Sequence, residues 1–233
     1  MSFHEHSASQ GGVVLLHGIA RSSRSLNKMQ RAIEAAGFAT LNLDYPSRKQ
    51  PLGRLAADIH PAVARFAGGF EGPIHFVAHS MGGLLTRVYI AAYRPQQLGR
   101  VVMLGTPNGG SEVADRLKAF ALYRAYFGPA GQQLATMRDP ATAALLPAID
   151  YPVGIIAGNR SVDPISSVLL PKPNDGKVSV QNTRLAGMTD HIVVATAHPW
   201  LMRYRPAIEQ TVTFLRNGRF RRTGAGAISE GFR

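Results

Sequence analysis

The stretch Pro73-Ile74-His75-Phe76-Val77-Ala78-His79-Ser80-Met81-Gly82-Gly83-Leu84-Leu85 constrains the fold of this 233-residue chain more than any other. Ile74, Phe76 and Val77 are β-formers, and Gly72-Pro73 punctuates the chain before them. From Gly83 to Tyr93 the apolar residues recur with helical spacing. A strand followed at once by a helix leaves only a sharp turn for Ser80, and such a turn holds its central residue in a strained backbone region. The positions two residues to either side must then be small. Here they are Ala78 and Gly82, so the chain departs by one methyl from the usual G-x-S-x-G spacing.

The rest of the chain repeats the alternation. Gly12 to Leu16 reads as a buried strand that ends in His17-Gly18-Ile19-Ala20. A helix through Leu26, Met29, Ile33 and Ala36 follows, with Ser22 or Ser23 as its cap and Gly37 as its stop. Phe38 to Leu43 is a second strand, and a helix crosses Leu55, Ile59, Val63 and Phe66, where Pro61 is expected to kink or break it. After the Ser80 unit come strands at Val101 to Leu104, Val153 to Ala157 and Ile192 to Val194, then a closing helix from about Pro199 to Leu215. This order predicts the α/β class, a doubly wound, mostly parallel sheet of about six strands flanked by helices. The interval 111–152 differs in character, being aromatic and apolar around Leu117, Phe120, Tyr123, Tyr126 and Phe127. It is either a packing helix with its loop or a flap over a site. The expected organisation is a leader at 1–10, one domain at 11–216 and a basic tail at 217–233.

Composition narrows the function classes. The chain is 45% hydrophobic and 17% charged, as an ordinary globular domain is, and no apolar run approaches the roughly 18 residues a membrane span needs. Met1 to Ser7 has neither the basic nor the apolar part of a signal peptide. Zero cysteines exclude disulfides, a thiol nucleophile and thiolate metal sites, which fits a cytoplasmic setting. His4-Glu5-His6 reads as incidental, so neither metal nor cofactor is expected. The net charge of +12 gathers partly in Arg216, Arg219, Arg221 and Arg222, which can attract an anionic lipid surface. Without interleaved aromatics there is no platform for base stacking, so nucleic acid is disfavoured and a solvated tail is the plainer reading. Oligomeric state is left open.

A serine hydroxyl attacks only when a base takes its proton, and the base must be oriented by a third group. In strand–turn–helix sites of this kind the partners follow in the order serine, acid, histidine. Downstream of Ser80 the histidines are His191 and His198, and the last strand separates them. His198 falls at its carboxyl end, on the side of Ser80; His191 falls at the opposite end. For the acid, Asp163 and Asp175 both stand between the last two strands, and spacing does not separate them. Asp190 is a third, more structural choice. His79 reads as packing, His17 as a loop buttress, and Arg21 as either a headgroup contact or a surface arginine.

Ala78-His79-Ser80-Met81-Gly82-Gly83, with His17-Gly18-Ile19 upstream and Leu104 to Ser111 downstream, resembles the small bacterial lipases and esterases of the α/β-hydrolase fold. The resemblance covers roughly residues 11–205. It implies Asp175 as the acid, through the Asn174-Asp175-Gly176-Lys177-Val178 turn, and fits His198 before Pro199-Trp200-Leu201-Met202. It also implies an oxyanion hole built from the backbone N–H groups of Ile19 and Met81. The expected chemistry is cleavage of a small-molecule ester or lipid by an acyl-enzyme route. An acyltransferase or thioesterase would use the same groups, and a binding protein that had lost the chemistry would keep the fold alone.

Overall fold

Six apolar runs become six strands: β1 (Gly12–Leu16), β2 (Ala39–Leu43), β3 (Ile74–His79), β4 (Leu98–Leu104), β5 (Val153–Gly158) and β6 (Asp190–Val194). They form one sheet in the order β2-β1-β3-β4-β5-β6, and every neighbouring pair is parallel. The computed structural model describes residues 11–111, 121–137, 139–162 and 170–222. The leader at 1–10, with His4-Glu5-His6, lies outside them.

Because both faces of a parallel sheet are covered, the central strands read as continuous apolar runs. Val14, Leu16 and Phe76 face one layer, built from α2 (Leu52–Ala67) and α3 (Met81–Tyr93). Val13, Leu15 and Val77 face the other, built from α1 (Asn27–Ala35) and a last helix, Arg205–Asn217. Between β4 and β5 the chain forms α4 (Ala121–Gln132), kinked where Gly128 takes φ 62°, and the short α5 (Pro140–Ala144). A single turn, α6 (Val180–Thr183), precedes β6, and the closing helix is α7. No helix among the described residues is long and apolar enough to cross a membrane.

Several local expectations differ from the structure. Neither Ser22 nor Ser23 caps a helix through its side chain; the Ser23 hydroxyl and N–H both bond the Asp44 carboxylate instead. α2 runs unbroken through Pro61, which lies on the exposed face, where the carbonyl it leaves unbonded one turn back can reach water. The closing helix is split: a 3₁₀ segment, His198–Arg203, precedes α7, and Pro206 sits in the first turn of α7. Residues 218–222, expected in the tail, pack on the domain. Phe220 is buried against Phe214, its N–H bonds Asp190, and Arg222 pairs with the same carboxylate. Apolar burial and one acid thus hold residues 218–222 against the domain, and 223–233 lie outside the described residues.

Candidate active site

The order of the strands reverses between β1 and β3, and in open α/β sheets the crevice at the carboxyl ends beside that reversal is where ligands bind. Ser80 lies there. It links β3 directly to α3 with φ 55° and ψ −126°, a left-handed backbone that an L-residue holds only under tertiary constraint. Its N–H donates to the Leu104 carbonyl at 2.8 Å, and its carbonyl accepts from Gly83 N–H and the Thr106 hydroxyl, each at 3.0 Å. Gly82 is fixed by close approach: a Cβ there would stand 2.4 Å from the Leu16 carbonyl oxygen.

His198 follows β6 and Asp175 precedes α6, and the structure brings both to Ser80. His198 Nε2 lies 3.0 Å from Ser80 Oγ, and His198 Nδ1 lies 2.7 Å from Asp175 Oδ2. The other carboxylate oxygen accepts the N–H groups of Lys177 at 3.0 Å and Val178 at 2.8 Å. These bonds orient the carboxylate in the Asn174 to Val178 turn, where Asn174 Oδ1 also accepts from Gly176 N–H. Asp175 and His198 are tied by backbone as well, His198 N–H donating to the Asp175 carbonyl at 2.9 Å. All three side chains are buried among described residues. Asp163 lies outside the described residues. His191 is elsewhere, bonded to the Thr183 hydroxyl, and Asp190 serves Phe220 and Arg222.

The loop after β1 sits against the serine. A Cβ on Gly18 would lie 3.1 Å from Ser80 Cβ. Arg21 N–H closes a turn onto the Gly18 carbonyl at 3.3 Å, and Ala20 N–H donates to Ser47 Oγ at 3.1 Å. Neither bond uses Ile19 N–H. Met81 opens α3, so its N–H is one of the donors that a helix N-terminus leaves without an intrahelical partner.

Three contributors are tertiary and were not singled out for these roles from sequence. His79 Nε2 donates to the His198 carbonyl at 3.1 Å, with its ring 4.8 Å from that of His198. Burial, followed by the nearby His198 charge, holds its pKa well below the usual histidine value, so it is a neutral donor. Thr106 braces the Ser80 carbonyl, and the Tyr45 hydroxyl donates to the His17 carbonyl beneath a stacked imidazole. The buttress reading of His17 has a geometry: Nδ1 donates to the Gly18 carbonyl at 2.8 Å.

Residues 13–219 match the model of the alpha/beta hydrolase family. The chain belongs to that family. Two triacylglycerol lipases, of Pseudarthrobacter phenanthrenivorans and Burkholderia plantarii, are each 31% identical to it over 119 residues, or 47% of this chain. It spans only 37% and 33% of their lengths. Among solved structures, the mature lipase BlEst2 of Bacillus licheniformis shares the fold with a TM-score of 0.76 at 20% identity, over 89% of this chain and 91% of that one.

Proposed function

We propose that this alpha/beta hydrolase cleaves carboxylic esters through an acyl-enzyme on Ser80. The observation that carries the reading is the continuous hydrogen-bonded chain from Asp175 through His198 to a serine held at positive φ. Ser80 Oγ attacks the ester carbonyl carbon while His198 Nε2 takes its proton. Asp175 keeps the remaining imidazole proton on Nδ1 and stabilises the imidazolium. The Ile19 and Met81 N–H groups receive the negative charge that develops on the carbonyl oxygen. As the intermediate collapses, His198 returns its proton to the departing alkoxide. Water, deprotonated by the same nitrogen, then releases the acid and restores Ser80. Every role falls to a side chain or a backbone group, so the scheme calls on no cofactor.

Substrates are small esters or lipids, in keeping with the lipases that this chain resembles over part of their length. The kinked α4 packs on the loops at the carboxyl ends: a Cβ on Gly128 would overlap the Arg48 carbonyl, and one on Gly131 would lie 3.5 Å from Ile19 Cδ1. That packing supports reading part of the 111–152 insertion as one wall of the substrate site. Peripheral contact with an anionic lipid surface rests on the net charge of +12, with the half-exposed Trp200, two residues after His198, as an apolar group to accompany it, and liposome flotation tests it. A cytoplasmic setting rests on the cysteine-free sequence, and fractionation checks it.

Hydrolysis of p-nitrophenyl esters of increasing acyl length, with Ser80→Ala in parallel, tests the whole reading. Turnover that disappears in the variant is expected. Turnover that survives it overturns the mechanism, and activity confined to thioesters moves the assignment to a thioesterase.

A further inference from the structure

The turn that carries Ile19 also builds one side of a second recess. Ala20, Arg21, Tyr45, Ser47, Arg48 and Lys49 line an open pocket of about 290 Å³. It lies close to the nucleophile, because Ala20 is two residues from Gly18 and two trans Cα–Cα steps span at most about 7.6 Å. Gly18 in turn touches Ser80.

The chemistry of this recess is cationic and donor-rich. Arg21 and Lys49 are exposed and have no ion pair or hydrogen-bonded side-chain partner among the described residues. Ser47 is 4% exposed; its oxygen accepts the Ala20 N–H, and among the described residues no acceptor takes its own O–H. Tyr45 supplies no negative charge, since burial raises its pKa far beyond the working range and its proton is bonded to the His17 carbonyl. Asp44, which precedes Tyr45, is the one adjoining anion among the described residues: the N–H and hydroxyl of Ser23 hold its carboxyl below the usual range, and it lies 3.7 Å from His17 Nε2, so the recess sets Arg21, Arg48 and Lys49 against a single carboxylate. Arg21 also acts on the site at a distance: its charge is among those that disfavour protonation of His79. Finally, Ala20 and Ser80 are the two non-glycine residues with left-handed φ among the described residues, at 56° and 55°. Strain of this kind collects where a loop is held for function rather than for stability.

We propose that this pocket binds a phosphate group carried on the alcohol portion of the substrate, so that the enzyme prefers acyl esters with an anion about a glycerol's length from the scissile bond. A guanidinium fork, an ammonium and a hydroxyl donor match the several acceptor oxygens and the charge of a phosphate monoester. The inference rests on the ester-hydrolase reading and names its substrate class.

The test compares 1-octanoylglycerol 3-phosphate with 1-octanoylglycerol, both below the concentration at which they aggregate, on the full chain, Arg21→Gln/Lys49→Gln, and Ser80→Ala. Arg65→Gln, on an exposed position at the end of α2, controls for net charge. The ratio of kcat/KM for the phosphate ester to that for the neutral ester is expected to fall about tenfold or more in the double variant, chiefly through KM, and to hold in Arg65→Gln. Glycerol 3-phosphate is expected to compete better than inorganic phosphate and to lose that advantage in the double variant. A ratio near one in the full chain, or one that the double variant leaves unchanged, overturns the inference while the hydrolase reading stands. Equal competition by the two anions makes the pocket a site for free anions and overturns the substrate assignment. Turnover of neither ester, or turnover that persists in Ser80→Ala, overturns the hydrolase reading and the inference with it.

Discussion

Asp175→Asn is the sharpest perturbation of the proposed mechanism, because the structure dictates which way the new amide turns. Asp175 Oδ1 accepts two backbone N–H groups, from Lys177 and Val178. An asparagine must keep its oxygen there, since an NH₂ would face two donors. Its NH₂ then faces His198 Nδ1, where Oδ2 now lies at 2.7 Å. Imidazole can meet that donor only by making Nδ1 the acceptor, which moves the ring proton to Nε2. The nitrogen facing Ser80 at 3.0 Å then carries a proton and can accept none. A tautomer trapped in this way costs a serine triad about 10⁴-fold in kcat, or about 5.4 kcal/mol of barrier. The fold is kept, since both backbone donors retain an acceptor; Asp175→Ala would instead leave them without it, at about 1–3 kcal/mol for each one buried. The assay is kcat/KM on p-nitrophenyl butyrate, with a thermal melt to show that the variant is folded. A folded variant that keeps more than about a tenth of the activity refutes the argument. Asp163→Asn then becomes the variant expected to lose it.

Three further outcomes follow from the same geometry. Gly105→Ala forces φ 58° on an alanine and places its Cβ 2.8 Å from Leu201 Cδ1 and 3.1 Å from both Asp175 Oδ2 and His198 Nδ1, so kcat is expected to fall more than the melting temperature explains. Ala20→Gly relieves a left-handed alanine at a cost of about 1–2 kcal/mol, partly offset by the freer unfolded chain, and calorimetry should show a rise of about 2 °C. His75 is buried, and desolvation followed by the Arg100 charge holds its pKa down to about 4. The unfolded chain therefore binds the proton more tightly: the stability this residue contributes is whole above about pH 6.5 and is lost as pH falls from there towards 4, by up to about 1.4 kcal/mol per unit. Urea midpoints at neutral and mildly acidic pH should show the loss, and His75→Gln should flatten it.

What was legible in the sequence was whatever depends on chain-local pattern. Strands covered on both faces are written as unbroken apolar runs, and each run lies within an observed strand except at Phe38, which is buried one residue before β2 begins at Ala39. The runs fell short where burial falls. β4 begins at Leu98, before Val101, because Gly99-Arg100 interrupts the apolar signal at the half-buried end of the strand. β6 begins at Asp190 because an edge strand, paired only with β5, tolerates a charged, half-exposed start. Ser80 and the side of the sheet on which His198 falls could be read from the punctuation of strand ends. Asp163 and Asp175 could not be separated so, since that choice depends on how the loop from 159 to 178 folds back. The same holds for His79, whose bond to His198 joins residues 119 apart in the chain. Contacts of that range leave no periodic trace.

The asymmetry of the elbow has a packing explanation. Ala78 lies within β3, in register with Leu16 on one side and Met103 on the other, and its methyl is part of the core below α3. A side chain there points into a layer of other side chains, which can yield to one methyl. Gly82 instead lies where the first turn of α3 crosses the end of β1, and a Cβ would meet two backbone oxygens, at 2.4 Å from Leu16 and 2.7 Å from His17. Hydrogen-bonded strand backbone does not give way as a side chain can, so a methyl at 82 lifts the helix while one at 78 repacks the core. Lifting the helix would carry Met81 N–H away from the loop that holds Ile19 N–H. One backbone contact thus bears on the spacing of the two N–H groups proposed to receive the oxyanion. That is why the glycine after the serine is the less replaceable of the two small residues.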